Sequence, residues 1–194
     1  MQPTAAGRYR LLADPVDRGG MGGMGGMMGG ADAPTTGPVI LATLVVDGVP
    51  VSAPPLPTSL PAEVPLAGPT ARWRDVAMQM GMGMGGMSFV IDGRPFAADR
   101  VDQVVAAGAI EEWTISNAGP LAHPFHLHVW PFTVLASSDA TPPTGVPQDV
   151  VLVPAGGWVR LRIPFTTHSG RSVYHCHNFD HEDSGMMATI TVDG

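Results

Sequence analysis

The chain has 194 residues, which is enough for one to two domains, and 44% of them are hydrophobic, which excludes a charged disordered tail. Its 10 basic residues, all arginine, and its 17 acidic residues give a net charge of -7, so nucleic acid is not an expected partner. No apolar run approaches the roughly 18–20 residues that cross a bilayer, so no membrane span is expected. The 25 glycines and 20 prolines favour turns over long helices and therefore an all-β fold.

The first 61 residues hold few strand signals. The start of the chain lacks the apolar core of a signal peptide, so no export signal is expected there. Residues 19–30 are a run of Gly and Met that is expected to be flexible. Val39–Val46 is continuously apolar and predicts a buried strand, which Asp47 and Gly48 would end. These signals are too few for a sandwich, so residues 1–61 are expected to be the tail end of a preceding domain, or an arm.

A proline-rich stretch separates this part from the rest of the chain. Seven prolines lie between Pro50 and Pro69, and this composition predicts an extended linker, with the domain boundary at residues 62–80. A second run of Gly and Met, residues 78–87, overlaps the end of the linker and is also expected to be flexible. Thioethers suit Cu(I), so both Met runs are either contacts for that ion or unstructured filler.

From about residue 81 onward, strand signals come at short intervals. In residues 111–117, Trp113 and Ile115 alternate with polar residues, and Val159, Leu161 and Ile163 alternate in the same way with Trp158 and two arginines. Further strands are predicted at residues 88–91, 101–106, 150–153 and 188–192. The period of two, the Pro and Gly turns, and the lack of any long helical period predict a β-sandwich over residues 81–194.

Six of the seven histidines fall in two clusters, and the second cluster contains the single cysteine. The first reads HPFHLH from His123 to His128, and the second reads HCHNFDHEDSGMM from His175 to Met187. One thiolate, two imidazoles and a thioether suit copper, which forms a trigonal His₂Cys site with a weak axial Met. Zinc usually takes four firm ligands, often several cysteines, and no thioether.

Spacing suggests how such a site would be assembled. Cys176, His181 and Met186 follow one another at intervals of five residues, so one loop can wrap an ion from one side, and His123 is the candidate for the distant ligand. The same spacing favours Met186 over Met187 as the axial ligand. The alternative is a zinc site or a set of buried structural histidines, although burying six imidazoles without a metal is costly.

The other four clustered histidines form two pairs. His126 and His128 lie two residues apart, as do His175 and His177, so each pair shares one face of an extended segment. His175 and His177 lie on the face opposite to Cys176. The peptide links beside Cys176 would therefore form a short covalent path from one metal to a cluster of others.

The motifs HPFHLH and YHCHNFDHEDSGMM closely resemble the last cupredoxin domain of multicopper oxidases, in the bacterial cuprous-oxidase and laccase-like branch. The resemblance covers residues 80–194 well and the earlier part loosely. It implies a cupredoxin-like Greek-key β-sandwich with an N-terminal arm from a preceding cupredoxin domain. It also implies copper cofactors and an oxidase that couples oxidation of a reducing substrate, phenol-like or Cu(I), to reduction of dioxygen. Relatives are often exported, so the implied location is periplasmic or extracellular.

The resemblance also assigns roles to single residues. It implies four ligands of a type 1 copper: His123, Cys176, His181 and Met186. It implies four ligands shared between a type 2 copper and a type 3 pair: His126 for the former, and His128, His175 and His177 for the latter. Glu182 matches an acid that relays protons to bound oxygen, with a plain surface carboxylate as the alternative. Asp149 matches a structural aspartate.

The chain departs from the family pattern in its ligand count. Trinuclear sites of the family use eight histidines, and the chain offers four, because His168 lies in a predicted turn. We therefore expect N-terminal multicopper oxidase domains to supply the other four. Residues 117–122 also lack the acidic and Met residues with which copper-efflux oxidases bind Cu(I). The alternative function is a stand-alone cupredoxin-like module that binds copper or transfers electrons without oxygen chemistry.

Overall fold

The computed structural model describes residues 5–15, 37–49, 52, 54–55, 57–58, 67–83, 86–139 and 145–194. Among these residues it contains strands and one short helix, α1 (Phe179–Asp183). The strands are β1 (Gly7–Ala13), β2 (Val39–Val46), β3 (Arg72–Gly83), β4 (Gly86–Ile91), β5 (Gln103–Ala106), β6 (Ile110–Asn117), β7 (His123–Leu127), β8 (Thr133–Ser137), β9 (Val150–Val153), β10 (Trp158–Pro164), β11 (Gly170–Cys176) and β12 (Met187–Asp193). No helix in the described part of the chain is long and apolar enough to cross a membrane.

The chain divides into two compact units, and the first contains β1 and β2. These strands pair antiparallel, and β2 has the predicted bounds. The prediction that β2 is buried is wrong, because residues 39–45 are all exposed. In the described part of this unit β2 pairs with β1 alone, and a two-stranded sheet has no second layer to cover its side chains.

The second unit includes residues 63–194, and its described residues form two five-stranded sheets. The strand order is β4-β3-β6-β10-β8 in one sheet and β5-β12-β11-β7-β9 in the other. The β3–β6 and β5–β12 pairs are parallel and the other neighbours are antiparallel. The predicted all-β sandwich is confirmed.

Large side chains from both sheets fill the space between them. The largest buried aromatic residues are Trp113, Trp130, Tyr174, Phe125, Phe132 and Phe165. Trp113 of β6 meets Tyr174 of β11 edge to face, with the ring centroids 5.5 Å apart. The alternation predicted for β6 and β10 is confirmed, since Trp113 and Ile115 of β6 and residues 159, 161 and 163 of β10 are buried, whereas the residues between them are exposed or only partly buried.

The sandwich begins earlier in the chain than the composition suggests. β3 starts at Arg72, inside the range 62–80 that was predicted to be linker, and its Val76 and Met78 are fully buried. The second Met run was expected to be flexible, and this is wrong for residues 78–83 and 86–87, which form the β3–β4 hairpin. Apolar side chains on the inner face of β3 join the core and outweigh the glycines between them. The first run, residues 19–30, lies outside the described residues.

The pairing of β7 with β11 brings the two histidine motifs together. Their antiparallel register sets His126 opposite His175 and Phe125 opposite Cys176. On the other side of β11, β12 sets Met187 opposite His175. The loop between β11 and β12, which contains α1, follows Cys176 and therefore lies beside the start of β7, where the His177 amide donates to the Pro124 carbonyl at 2.7 Å.

Candidate metal centres

Four residues meet at the end of β11, and we call them the thiolate site: His123, Cys176, His181 and Met186. Cys176 is the last residue of β11, His123 is the first residue of β7, and His181 lies in α1. Met186 directly precedes β12. All four side chains are buried, and two strands, a helical turn and the residue before β12 bring them together.

The donor atoms of three of these residues form a compact triangle. The Cys176 Sγ atom lies 3.6 Å from Nδ1 of His123 and 3.5 Å from Nδ1 of His181, and the two nitrogens are 3.1 Å apart. A point equidistant from the three atoms lies about 2.0 Å from each, close to the length of a bond from a first-row metal ion to these ligands. One sulfur and two nitrogens in a trigonal arrangement fit copper.

Backbone hydrogen bonds hold Met186 beside these ligands. The Cys176 amide donates to the Met186 carbonyl at 3.0 Å, and the Met186 amide donates to the His181 carbonyl at 2.9 Å. Met187 pairs with His175, and since successive residues of a strand point to opposite faces, Met186 shares the face of Cys176. This register favours Met186 over Met187 as the fourth ligand.

Two contacts of His181 were not foreseen from the sequence. Phe89 of β4 stacks on its imidazole, with the ring centroids 4.4 Å apart and the planes 22° from parallel. The carboxylate of Asp180 lies 3.6 Å from Nε2 of His181, on the side of the ring away from Cys176. The sequence shows no pattern that links Phe89 to His181, because 92 positions separate them along the chain.

The other four predicted ligands gather behind Cys176, and we call them the histidine cluster: His126, His128, His175 and His177. The Nε2 atoms of His128 and His175 are 3.0 Å apart. His126, His128 and His175 each offer a nitrogen within 4.8 Å of the other two, so they could hold a metal ion. The His177 ring lies beside them, with its centroid 5.0 Å from that of His126 and 5.6 Å from that of His175.

Hydrogen bonds orient two rings of the histidine cluster. His126 Nδ1 lies 2.8 Å from the Asp149 carbonyl oxygen, and His175 Nδ1 lies 2.9 Å from the Cys176 carbonyl oxygen. A carbonyl oxygen can only accept, so each Nδ1 carries the proton and each Nε2 keeps a lone pair. Asp149 makes this contact through its backbone carbonyl. The resemblance to a structural aspartate of the family concerns its side chain and therefore did not predict the contact.

The surroundings of His128 and His175 favour the neutral, ligating form of these two rings. Burial lowers the pKa of His128, and the neighbouring imidazoles, which repel a second positive charge, lower it further. Burial also lowers the pKa of His175, although the Cys176 carbonyl and Glu182 act in the opposite direction. Neutral imidazoles can bind a metal ion at neutral pH without first losing a proton.

Glu182 lies next to the histidine cluster. Its Oε2 atom is 3.3 Å from Nδ1 of His175, and its side chain is 24% exposed. The carboxylate therefore touches both a candidate ligand and solvent. The remaining histidine, His168, lies exposed in the loop before β11, as expected of a turn residue, and its carbonyl accepts a hydrogen bond from Trp130 Nε1 at 3.2 Å.

Known proteins are similar to this chain in sequence and in fold. The sequence model of the multicopper oxidase family matches residues 69–194. "Multicopper oxidase mco" of Staphylococcus haemolyticus is 33% identical over 108 residues, which cover 53% of this chain and 24% of that protein. "Bilirubin oxidase" of Albifimbria verrucaria is 30% identical over 202 residues, which cover 95% of this chain and 35% of that protein.

The same likeness extends to solved structures. The multicopper oxidase of Campylobacter jejuni, described as a metallo-oxidase, matches 100% of this chain and 42% of its own, with a TM-score of 0.67 and 23% identity. This likeness concerns the fold alone, and it confirms the expected cupredoxin-like sandwich. The chain spans about a quarter to two fifths of the length of these proteins. Because the family model matches more than half of it, the chain belongs to the multicopper oxidases, a family of copper-dependent oxidoreductases.

Proposed function

We propose that the chain is the C-terminal copper-binding part of a multicopper oxidase. In this proposal the thiolate site, His123, Cys176, His181 and Met186, holds a type 1 copper. The histidine cluster supplies half of a trinuclear site: His126 for a type 2 copper, and His128, His175 and His177 for a type 3 pair. When bound, copper supplies one-electron oxidation of a donor at the thiolate site and reduction of dioxygen at a completed histidine cluster.

One observation carries the proposal, namely the covalent continuity between the two sets of ligands. Cys176 belongs to the thiolate site, and its two neighbours in sequence, His175 and His177, belong to the histidine cluster. The His175 Nδ1 atom also contacts the Cys176 carbonyl oxygen at 2.9 Å. A protein that only stored copper or carried single electrons would have no use for this second set.

The exposed face of the histidine cluster supports a role for further domains. His128 and His177 are exposed, whereas the residues of the thiolate site are buried. The named relatives are also about two to four times as long as the stretch that matches. We propose that N-terminal multicopper oxidase domains supply four more histidines on this side, with residues 1–61 as the tail end of the preceding cupredoxin domain.

The position of Glu182 suits it to proton delivery. Its partial exposure allows exchange with solvent, and its Oε2 atom lies 3.3 Å from His175 Nδ1, at the edge of the histidine cluster. We propose that this carboxylate holds and passes on protons that dioxygen reduction consumes. The expected electron donor in this proposal is a phenol-like compound or Cu(I).

A stand-alone copper-binding or electron-transfer module is the second candidate, because the chain itself contains every residue of the thiolate site. The two functions differ in how the reduced protein meets oxygen. The copper-loaded chain is reduced with ascorbate without oxygen, and its return to the oxidised state is then followed in air. The oxidase proposal expects slow reoxidation of the chain alone and fast reoxidation when the N-terminal domains are present.

Variants of the assembled protein complete this test. His126→Ala should block oxygen consumption and leave the visible absorption of the thiolate site intact, because its side chain lies in the histidine cluster. Glu182→Gln should slow turnover without loss of copper. Fast four-electron reduction of oxygen by a monomeric chain would contradict the proposed half-site, and slow reoxidation with all domains present would favour the stand-alone module.

A further inference from the structure

Phe89 contacts the thiolate site from a strand that contributes no ligand to it. It lies on β4, at the edge of the sheet opposite to β7 and β11. Its ring stacks on the His181 imidazole with the centroids 4.4 Å apart and the planes 22° from parallel. Phe89 is partly buried and packs against the hydrophobic core, so its ring has a fixed support.

The orientation of the His181 ring determines whether its donor atom faces the other ligands. Nδ1 of His181 lies 3.5 Å from Cys176 Sγ and 3.1 Å from His123 Nδ1. Rotation of the imidazole about its bond to Cβ would turn Nδ1 away from both atoms. It would also turn the ring edge-on and push its atoms into the phenyl ring of Phe89. The nearly parallel stack therefore restricts the rotation that would turn Nδ1 away from Cys176 and His123.

The backbone of Phe89 and Phe96 also contacts the other end of the loop that runs from His181 to Met186. Gly185, just before Met186, has a φ of +109°, and a Cβ atom there would lie 3.3 Å from the Phe89 carbonyl oxygen. The Phe96 amide donates to the Gly185 carbonyl at 3.1 Å. The loop from His181 to Met186 thus rests on Phe89 at one end and on the Phe89 and Phe96 backbone at the other.

We propose that Phe89 is a positioning residue for the thiolate site, whose ring holds His181 in the orientation that directs Nδ1 toward Cys176 and His123. The identity of the metal rests on the proposed function, but the restriction of the ring does not. Residues that orient metal ligands typically change metal affinity about 10- to 100-fold when they are replaced. We expect a loss in this range for Cu²⁺ when the Phe89 ring is removed.

The test compares Phe89→Leu, Phe89→Tyr and a control, Phe165→Leu. Leu keeps a large apolar side chain without a flat ring, and Tyr restores the ring. Phe165 is fully buried, and its ring packs on Trp113 and Trp130, so Phe165→Leu makes the same chemical change at an unrelated place in the core. An effect that arises from lost stability alone should be at least as large in this control.

Two measurements are made on each variant under conditions where it is folded. The first is NMR of the His181 ring in the metal-free chain, where Phe89→Leu should broaden or double its resonances and Phe89→Tyr should not. The second is Cu²⁺ affinity and the position of the thiolate absorption band. We expect Phe89→Leu to weaken binding about 10- to 100-fold and to shift the band, whereas Phe89→Tyr and Phe165→Leu stay within about twofold of wild type.

Either of two results would overturn the proposal. One is a single sharp His181 ring conformer in Phe89→Leu, with copper affinity unchanged. The other is an equal loss of affinity in Phe165→Leu, which would show a general effect of core packing. If the wild-type chain fails to bind copper, the proposed function fails, and the NMR comparison in the metal-free chain still decides the role of Phe89.

Discussion

Replacement of Arg74 by Met should destabilise the sandwich strongly, because it leaves a buried carboxylate without its cation. Arg74 on β3 donates to both oxygens of Glu111 on β6, at 2.6 and 2.9 Å. The two side chains are only 8% and 4% exposed. The same guanidinium donates to Oε1 of Gln103 at 2.6 Å and to the Val104 carbonyl. Since the last two residues lie on β5, Arg74 joins the two sheets.

The magnitude follows from these contacts. Removal of one partner from a buried ion pair costs about 3–5 kcal/mol, because the remaining charge stays desolvated without compensation. Glu111 would keep a hydrogen bond from Trp113 Nε1 at 2.8 Å, which favours the lower end of that range, about 3 kcal/mol. In a chain of this size each kcal/mol lowers Tm by about 2–4 °C, so the expected decrease is about 6–12 °C.

Urea and thermal unfolding, followed by circular dichroism, measure this effect. The matched control is Arg74→Met with Glu111→Leu, which removes both charges and should recover most of the lost stability. The visible absorption of the copper-loaded, folded protein should stay unchanged in both variants, since neither side chain belongs to the thiolate site. A single variant within about 1 kcal/mol of wild type, or a double variant no more stable than the single, would refute the reasoning.

Two further predictions concern strain and pH. Val129 is 53% exposed and has a φ of 73°, a conformation that strains a β-branched residue by about 1–3 kcal/mol. Glycine adopts this φ without strain but loses more backbone entropy on folding, so Val129→Gly should raise Tm by about 2–4 °C on balance. An unchanged or lower Tm in a thermal unfolding experiment would contradict this. The Thr70 hydroxyl and the Arg162 guanidinium lower the pKa of Glu112 below its ordinary 4.5. The stabilisation from the ionised carboxylate is present above pH 4.5 and is lost as the pH falls through the folded-state pKa. The loss of unfolding free energy caused by Glu112→Gln should therefore become smaller in acid. Urea titrations that show the same difference between wild type and variant at every pH would contradict this.

Much of the fold could be predicted because apolar and polar residues alternate along the strands, as their side chains alternate between the core and the outer face. The alternation of Trp113 and Ile115, and of Val159 and Leu161, depends only on which face of a strand meets the core. The predicted burial of β2 failed for a complementary reason. An apolar run shows that the side chains of a strand are suited to burial. It does not show that the same unit contains a second layer of structure that buries them.

The candidate ligands were also accessible from the sequence, because the chemistry of Cys, His and Met limits which metal they suit. Their supporting contacts were not. Phe89 reaches His181 across the fold, and the Asp149 contact with His126 uses a backbone oxygen that every residue has. The prediction that the second Met run is flexible failed because a high glycine content is typical of linkers, whereas Met78 on β3 is a core residue.

The central claim is that the chain contains one complete copper site and half of another, and metal counting tests it most directly. The isolated chain is loaded with Cu²⁺, dialysed, and examined for copper content and visible absorption, with Cys176→Ser as the control. We predict one tightly bound copper with an intense thiolate-to-copper band in the wild type, and no such band in Cys176→Ser. A colourless copper-loaded wild type would contradict the thiolate site, and three or more tightly bound coppers in a monomer would contradict the half-site.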